Sequence, residues 1–477
     1  MAAARKRHHA DFDALTLSDM RTNIVVTGVG PVSAIGCGRN DFWTALTNGQ
    51  HGFGPVTLCD TAQSPAKIGA EVKDFRLERY IEYGDVMARR TPRAVQLALA
   101  ASVLALHDAE IDLDACDPER LGVFVGTSIG NLDVIMSMKE RQSNSSALPP
   151  HAAFHCFNHS AACVLSSFFN IRGPTHTTTT GCNSGIDALG QAARFIQAGV
   201  ADAILVVGSD CELMPELFLA FNASNSLTTR YNDDPGRASR PFDRARDGNV
   251  IGEGAGALLL ESEEHASRRG ARTYARIAGY HVASAGQNRQ YSHDSPELDT
   301  RPSVRAMRGA ISEAGWNAEE IDLVNANGSS SVLYDRLEGM ALRELLGGAL
   351  PQVRVQSQKS MLGQHGAGSS ALQAIAACLT IRRGVVAPTI NHDDPDPACG
   401  ELRVVTSAEM FAPERVLTHS IGLGGFYYTA AAFEGKPDMG RHTGLMSVRW
   451  SDGHNPKFPP TEDFMQPLEP WSPRQDA

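Results

Sequence analysis

Thr177-Thr178-Thr179-Thr180-Gly181-Cys182-Asn183-Ser184-Gly185-Ile186 sets a cysteine at the seam between a polar strand end and an amphipathic helix. Ile186, Leu189, Ala193 and Ile196 then recur at helical spacing until Gly199, so a helix is expected over 185–198 with Cys182 at its first turn. Unpaired N–H groups and the positive end of the helix dipole favour thiolate over thiol at such a point. The ordinary alternative is a buried structural cysteine. The position of Cys182 and its small neighbours favour a nucleophile.

Outward from this seam, strand-like apolar runs fall at 24–26, 122–125, 203–207, 257–260, 323–325, 353–355 and 416–421, and helical patterns at 94–106, 185–198, 303–314 and 369–381. That alternation predicts an α/β fold with buried strands. The order strand, Cys182 loop, helix, strand is echoed later by 353–355, the loop 359–368 and a helix from Ser369. Two similar halves would bring two helix N-termini together. The expected organisation is an N-terminal extension 1–22, halves over 23–270 and 271–435, and a Pro-rich tail 436–477 without periodicity.

At 477 residues and 42% hydrophobic content, the chain can bury a large core. No apolar run reaches membrane-spanning length, and the basic leader around Arg5-Lys6-Arg7 lacks a signal peptide's apolar core, so a cytoplasmic protein is expected. A net charge of -11 argues against nucleic acid or an anionic membrane as partner. Arg89-Arg90-Thr91-Pro92-Arg93 is the one candidate basic patch for an acidic partner. Nine cysteines without CxxC spacing read as reduced thiols. His155, His159, His176 and His419 have no paired ligand spacing, so no metal is assigned.

Further segments accompany Cys182: Val26-Thr-Gly-Val-Gly30, Thr228-Thr-Arg-Tyr-Asn232, Arg240-Pro-Phe-Asp243, Asp247 through Gly256, Val324-Asn-Ala-Asn327-Gly-Ser329, Lys359-Ser-Met-Leu-Gly363 and Gly422-Leu-Gly-Gly425. In this order, over 24–434, the chain resembles the β-ketoacyl-acyl-carrier-protein synthases of fatty-acid and polyketide assembly. The resemblance implies a thiolase-type α/β fold: duplicated halves in five layers, α-β-α-β-α. It implies a dimer, with a second copy or another ketosynthase-like subunit. It also implies an acyl carrier protein whose phosphopantetheine arm carries the substrate, with no resident cofactor. Cys182 would accept the acyl group, with the N–H groups of Cys182 and Leu423 forming the oxyanion hole. Ser329 and Ser331 would line the pantetheine arm, and Lys359 would support active-site charge. Glu253, Asp335 and Glu338 would hold loops through backbone N–H bonds.

Two departures bear on the chemistry. Where the family carries its two histidines, this chain has Asn327 and Gln364; His365 is the residue after, turned by about 100° if a helix starts there. Carboxamides donate hydrogen bonds but exchange no proton near neutral pH. Phe426-Tyr427-Tyr428 also replace small polar residues after the glycine loop, and Phe426 would reshape the space for a malonyl unit. The expected function is an acyltransferase that loads Cys182 from a carrier protein and passes the acyl chain to a non-malonyl nucleophile. Two alternatives stay open: an elongating condensing enzyme with altered catalytic residues, and a non-catalytic subunit like a chain-length factor. Chain-length factors commonly lose the cysteine that this chain keeps.

Overall fold

Branched aliphatic runs make the central strands of this computed structural model, which describes residues 22–286 and 298–435. The expected extension before residue 22 and the tail 436–477 lie outside the described residues. In the first half, β1 (Ile24–Ser33), β2 (Leu121–Gly126), β3 (Thr175–Thr178), β4 (Ala203–Cys211) and β5 (Glu253–Ser262) pair in the order β3-β2-β4-β5-β1. In the second, β6 (Ala275–Ser284), β7 (Leu323–Asn325), β8 (Arg354–Gln356), β9 (Arg415–Ile421) and β10 (Tyr427–Glu434) pair as β8-β7-β9-β10-β6. This is one order used twice. Strand directions repeat as well: β2 is parallel to β3 and β4 as β7 is to β8 and β9, and the remaining pairs are antiparallel. A short antiparallel pairing of Ile24, Val25 and Val26 with Ile277, Arg276 and Ala275 joins the halves edge to edge.

Helices complete five layers. α1 (Arg93–Asp108) covers the outer face of the first sheet, and α3 (Arg301–Ala314), with α4 (Val332–Leu346) beside it, covers that of the second. Between the sheets lie α2 (Ser184–Gln197) and α5 (Gly366–Arg383). Apart from Gln373, whose Nε2 donates to the carbonyls of Asn325, Ala326 and His419, α5 is apolar or small from Gly366 to Thr380 and buried throughout, as a helix enclosed on every side must be. Ile186, Leu189 and Ile196 of α2 pack with Leu372, Ile375 and Leu379 of α5 against Val206 and Leu258 on one side and Leu323 and Val416 on the other. The fold is the thiolase-type α/β architecture.

The two helix starts meet, as the duplication predicts: Gly185 N–H donates to Ser370 Oγ at 3.1 Å. Contact is so close that a Cβ on Gly185 would lie 2.4 Å from the carbonyl oxygen of Ala367. Gly185→Ala is therefore expected to cost about 1–3 kcal/mol by overpacking. A lowered urea midpoint with unchanged slope would show it; an unchanged midpoint would refute the packing argument. Among the described residues, no helix is long and apolar enough to cross a membrane.

Candidate active site

Cys182 stands in a single 3-10 turn, Gly181–Asn183, that runs directly into α2. Gly181, at φ +66°, lets the chain reverse out of β3. Beneath the turn, Ser420 Oγ donates to Asn183 Oδ1 at 2.7 Å, tying the nucleophile loop to β9. The half-buried thiol opens into a cavity whose walls include Glu212, Asn327, Ser329, Tyr334, Gln364 and Leu423.

Two donors reach the sulfur: the backbone N–H of Leu423 and the side chain of Gln364. Leu423 N–H is thus directed at the Cys182 sulfur. The amide oxygen of Gln364 has no hydrogen-bond partner among the described residues, so its NH2 is the group facing the thiol. Asn327 is pinned by its own oxygen, which accepts from Lys359 Nζ at 2.8 Å and from Ile421 N–H at 3.1 Å. Its NH2 is the end left for a ligand carbonyl.

Lys359 is buried, and that burial pulls its ammonium down to about 8, while Cys182, Glu338 and Asp335 act to hold it charged. Loops around it hang on carboxylates. Glu338 accepts from Asn327 N–H and Gly328 N–H, each at 2.8 Å. Asp335 accepts from Ser329 N–H and Phe242 N–H, each at 2.9 Å. Glu253 takes Val72 N–H at 3.0 Å and pairs with Arg93 at 2.8 Å, which withdraws Arg93 from the expected basic patch.

Four expectations need correction. The thiol of Cys182 is pushed up rather than down: burial acts first and the charge of Glu212 second, against Lys359, Leu423 N–H and Gln364. The helix-start argument counts dipole and N–H groups but neither of those opposing effects. His365 follows the site in sequence yet does not line the cavity. Its ring packs where a Cβ on Gly254 or Gly368 would come within 2.7 Å of it, and both ring nitrogens lack partners among the described residues. Burial and Lys359 pull that imidazole down to about 3, so it is neutral. Ser329 lines the cavity, but Ser331 does not. Its Oγ caps α4 by accepting from Tyr334 N–H at 3.3 Å. Phe426 is half-buried outside the cavity lining, where its carbonyl accepts from Ala285 N–H at 3.0 Å.

Tyr334 and Glu212 are among the cavity residues that escape the sequence reading. Tyr334 projects from α4 to the glycine loop, where its hydroxyl oxygen accepts from Gly424 N–H at 2.7 Å. Glu212 follows β4 and sits buried in the same wall. Their only sequence signals are an aromatic in the first turn of α4 and a second acid closely following Asp210.

A duplicated five-layer fold with a cysteine at the central helix seam and an N–H group opposite defines a class of acyl-thioester enzymes. The chain belongs to the β-ketoacyl synthase family: the family's N-terminal domain model matches residues 21–266 and its C-terminal domain model matches 274–393. It is 33% identical over 413 residues to the 3-oxoacyl-[acyl-carrier-protein] synthase 2 of Synechocystis sp., covering 86% of this chain and 98% of that one. Among solved structures it is similar to the ishigamide ketosynthase/chain length factor, with TM-score 0.79 and 30% identity over 87% of this chain and 100% of the other. It is also similar to a type II polyketide-synthase acyl-carrier protein in complex with its ketosynthase, with TM-score 0.78 and 28% identity over the same shares, 87% and 100%.

Proposed function

We propose that this chain is a non-elongating acyltransferase: a carrier protein delivers an acyl group to Cys182 through its phosphopantetheine arm, and the group passes to a nucleophile other than malonyl. The observation that carries this reading is the pair of carboxamides, Asn327 and Gln364, in the cavity with Cys182, while the imidazole of His365 is packed away from it. Thioester formation on Cys182 needs a sulfur nucleophile and N–H donors for the oxyanion, a need that the Leu423 N–H beside the sulfur supports. Malonyl decarboxylation and condensation lean on groups that exchange protons, worth about 100- to 10,000-fold. The carrier-protein partner is supported by a similar structure that is a ketosynthase bound to its acyl-carrier protein. A cytoplasmic dimer fits the reading, either of two copies or with a second ketosynthase-like subunit, as in the similar ketosynthase/chain length factor pair.

The test is direct. Carrier protein bearing a mass-tagged octanoyl chain is expected to leave one acyl adduct on the protein and none on Cys182→Ala, read by intact mass. Malonyl carrier protein added to the loaded enzyme is expected to give neither carbon dioxide nor a longer chain. Chain growth would establish the elongating alternative instead. Absence of any Cys182-dependent adduct would overturn the acyltransferase and leave the partner-subunit role.

A further inference from the structure

One acid in the Cys182 cavity stands apart from the hydrogen bonding that organises the rest of the site. Glu212 is only 4% exposed, and its backbone is tied on both sides: its N–H donates to Gly252 O at 3.1 Å and its carbonyl accepts from Met214 N–H at 2.9 Å. The side chain is thereby held at the wall it shares with Cys182, Asn327 and Gln364. Its carboxyl makes no hydrogen bond or ion pair with any described residue.

Neighbouring buried carboxylates behave otherwise. Asp210 accepts from Thr127 Oγ1 at 2.7 Å and from the N–H groups of Ser128 at 2.8 Å and Ala367 at 2.7 Å. Asp335 and Glu338 each hold two backbone N–H groups. A buried carboxyl without such partners opposes folding, so one retained beside a nucleophile marks chemistry rather than scaffolding.

We propose that Glu212 is the proton-transfer group of this site, sharing one proton with Cys182 and carrying it through both halves of the acyl transfer. The proposal rests on the acyltransferase reading. In the first half, the Cys182 thiolate bonds to the thioester carbon and the bond to the carrier sulfur breaks. The electron pair stays on that sulfur, which takes the proton of Glu212. In the second, the acceptor's oxygen or nitrogen bonds to the acyl carbon and gives its proton to the Glu212 carboxylate. The bond to Cys182 breaks with its electron pair on sulfur, so thiolate and carboxylic acid are restored. The sum is acyl carrier plus acceptor going to acylated acceptor plus free carrier thiol.

The charges around the pair suit this division. Burial, with the charge of Asp210, pushes the Glu212 carboxyl well above the usual carboxylate range, which favours its protonated form. Burial and Glu212 push the Cys182 thiol up as well, but the sulfur, unlike the carboxyl, has groups that act against that push and favour its anion: Lys359, Leu423 N–H and Gln364. Tyr334 is the remaining titratable group on the wall, its hydroxyl already engaged by Gly424 N–H.

Glu212→Gln keeps the shape and removes the proton. With octanoyl-pantetheine as donor and water as the probe acceptor, the variant's acyl-Cys182 is expected to hydrolyse about 100-fold more slowly than that of the wild type. Its pH profile should flatten. Hydroxylamine, nucleophilic at neutral pH without a base, is expected to discharge both acyl-enzymes at matching rates, which a merely distorted site would not allow. Iodoacetamide alkylation of Cys182 in the variant should shift to lower pH, because the competing acid is gone.

Equal hydrolysis rates and profiles in the two proteins would overturn the proposal. So would hydroxylamine discharge as impaired as hydrolysis. If the wild type takes no octanoyl group, the acyltransferase reading falls. The alkylation profile then still judges the shared proton, and superimposable profiles overturn it.

Discussion

Lys359→Met will slow acyl loading of Cys182 by roughly 10- to 100-fold at neutral pH while leaving the fold intact. The Lys359 ammonium acts on the thiol, and its charge opposes the upward push of burial and Glu212. Methionine fills similar space without that charge. The substitution also removes the 2.8 Å donor from Asn327 Oδ1, so the carboxamide is then held by Ile421 N–H alone at 3.1 Å. Alkylation of Cys182 by iodoacetamide should move to higher pH in the variant. An unmoved profile would show that Lys359 does not govern the sulfur.

Stability should move the other way, which separates a charge effect from unfolding. Burial lowers the Lys359 ammonium to about 8, against about 10.4 in an unfolded chain. Between those values the unfolded chain holds a proton that the folded one has shed, so this site's contribution to stability rises with pH across that window. Below pH 8 both states are charged and the full desolvation penalty stands. Lys359→Met removes the penalty, so the urea midpoint at pH 7 should hold or rise as loading falls. In the wild type, loading assisted by the ammonium should fade as pH rises through about 8.

Much of this is visible in residue order, and the rest is not for identifiable reasons. The run 323–325 coincides with β7, whose Leu323 and Val324 are buried, and 353–355 lies one residue from β8, Arg354-Val355-Gln356, which has a single apolar residue to mark it. β6 gives no such run. Arg276, Tyr280 and His281 interrupt it, and it is a strand because it pairs with β10 along its length. Cys182, Asn327, Gln364, Ser329 and Leu423 carry motif positions and do converge on one cavity. Glu212 and Tyr334 reach that cavity from elements whose local pattern says nothing of it. Ser331 is lost to the pocket because Ser330, at φ +67°, turns the chain between it and Ser329. Direction at a left-handed residue is a backbone fact that side-chain spacing does not encode.

Glu338→Gln is expected to destabilise the protein by about 3–5 kcal/mol, although it changes one atom. Glu338 is fully buried, with Oε1 accepting from Asn327 N–H at 2.8 Å and from His419 Nδ1–H at 2.7 Å, and Oε2 accepting from Gly328 N–H at 2.8 Å. Both oxygens face only donors. A glutamine must therefore aim its NH2 at an N–H whichever way the amide turns, leaving at least one donor unsatisfied and two groups in repulsion. His419 has nowhere else to turn, since its Nε2 is engaged with Ser303 Oγ at 3.1 Å. The same carboxylate helps keep Lys359 charged, so its loss also weakens support for the thiolate. Urea unfolding and iodoacetamide alkylation should thus both suffer, whereas Lys359→Met impairs only the second. A Glu338→Gln protein with the wild-type midpoint would mean that this carboxylate does not anchor the Asn327 loop, and the fixed position of the carboxamide would need another cause.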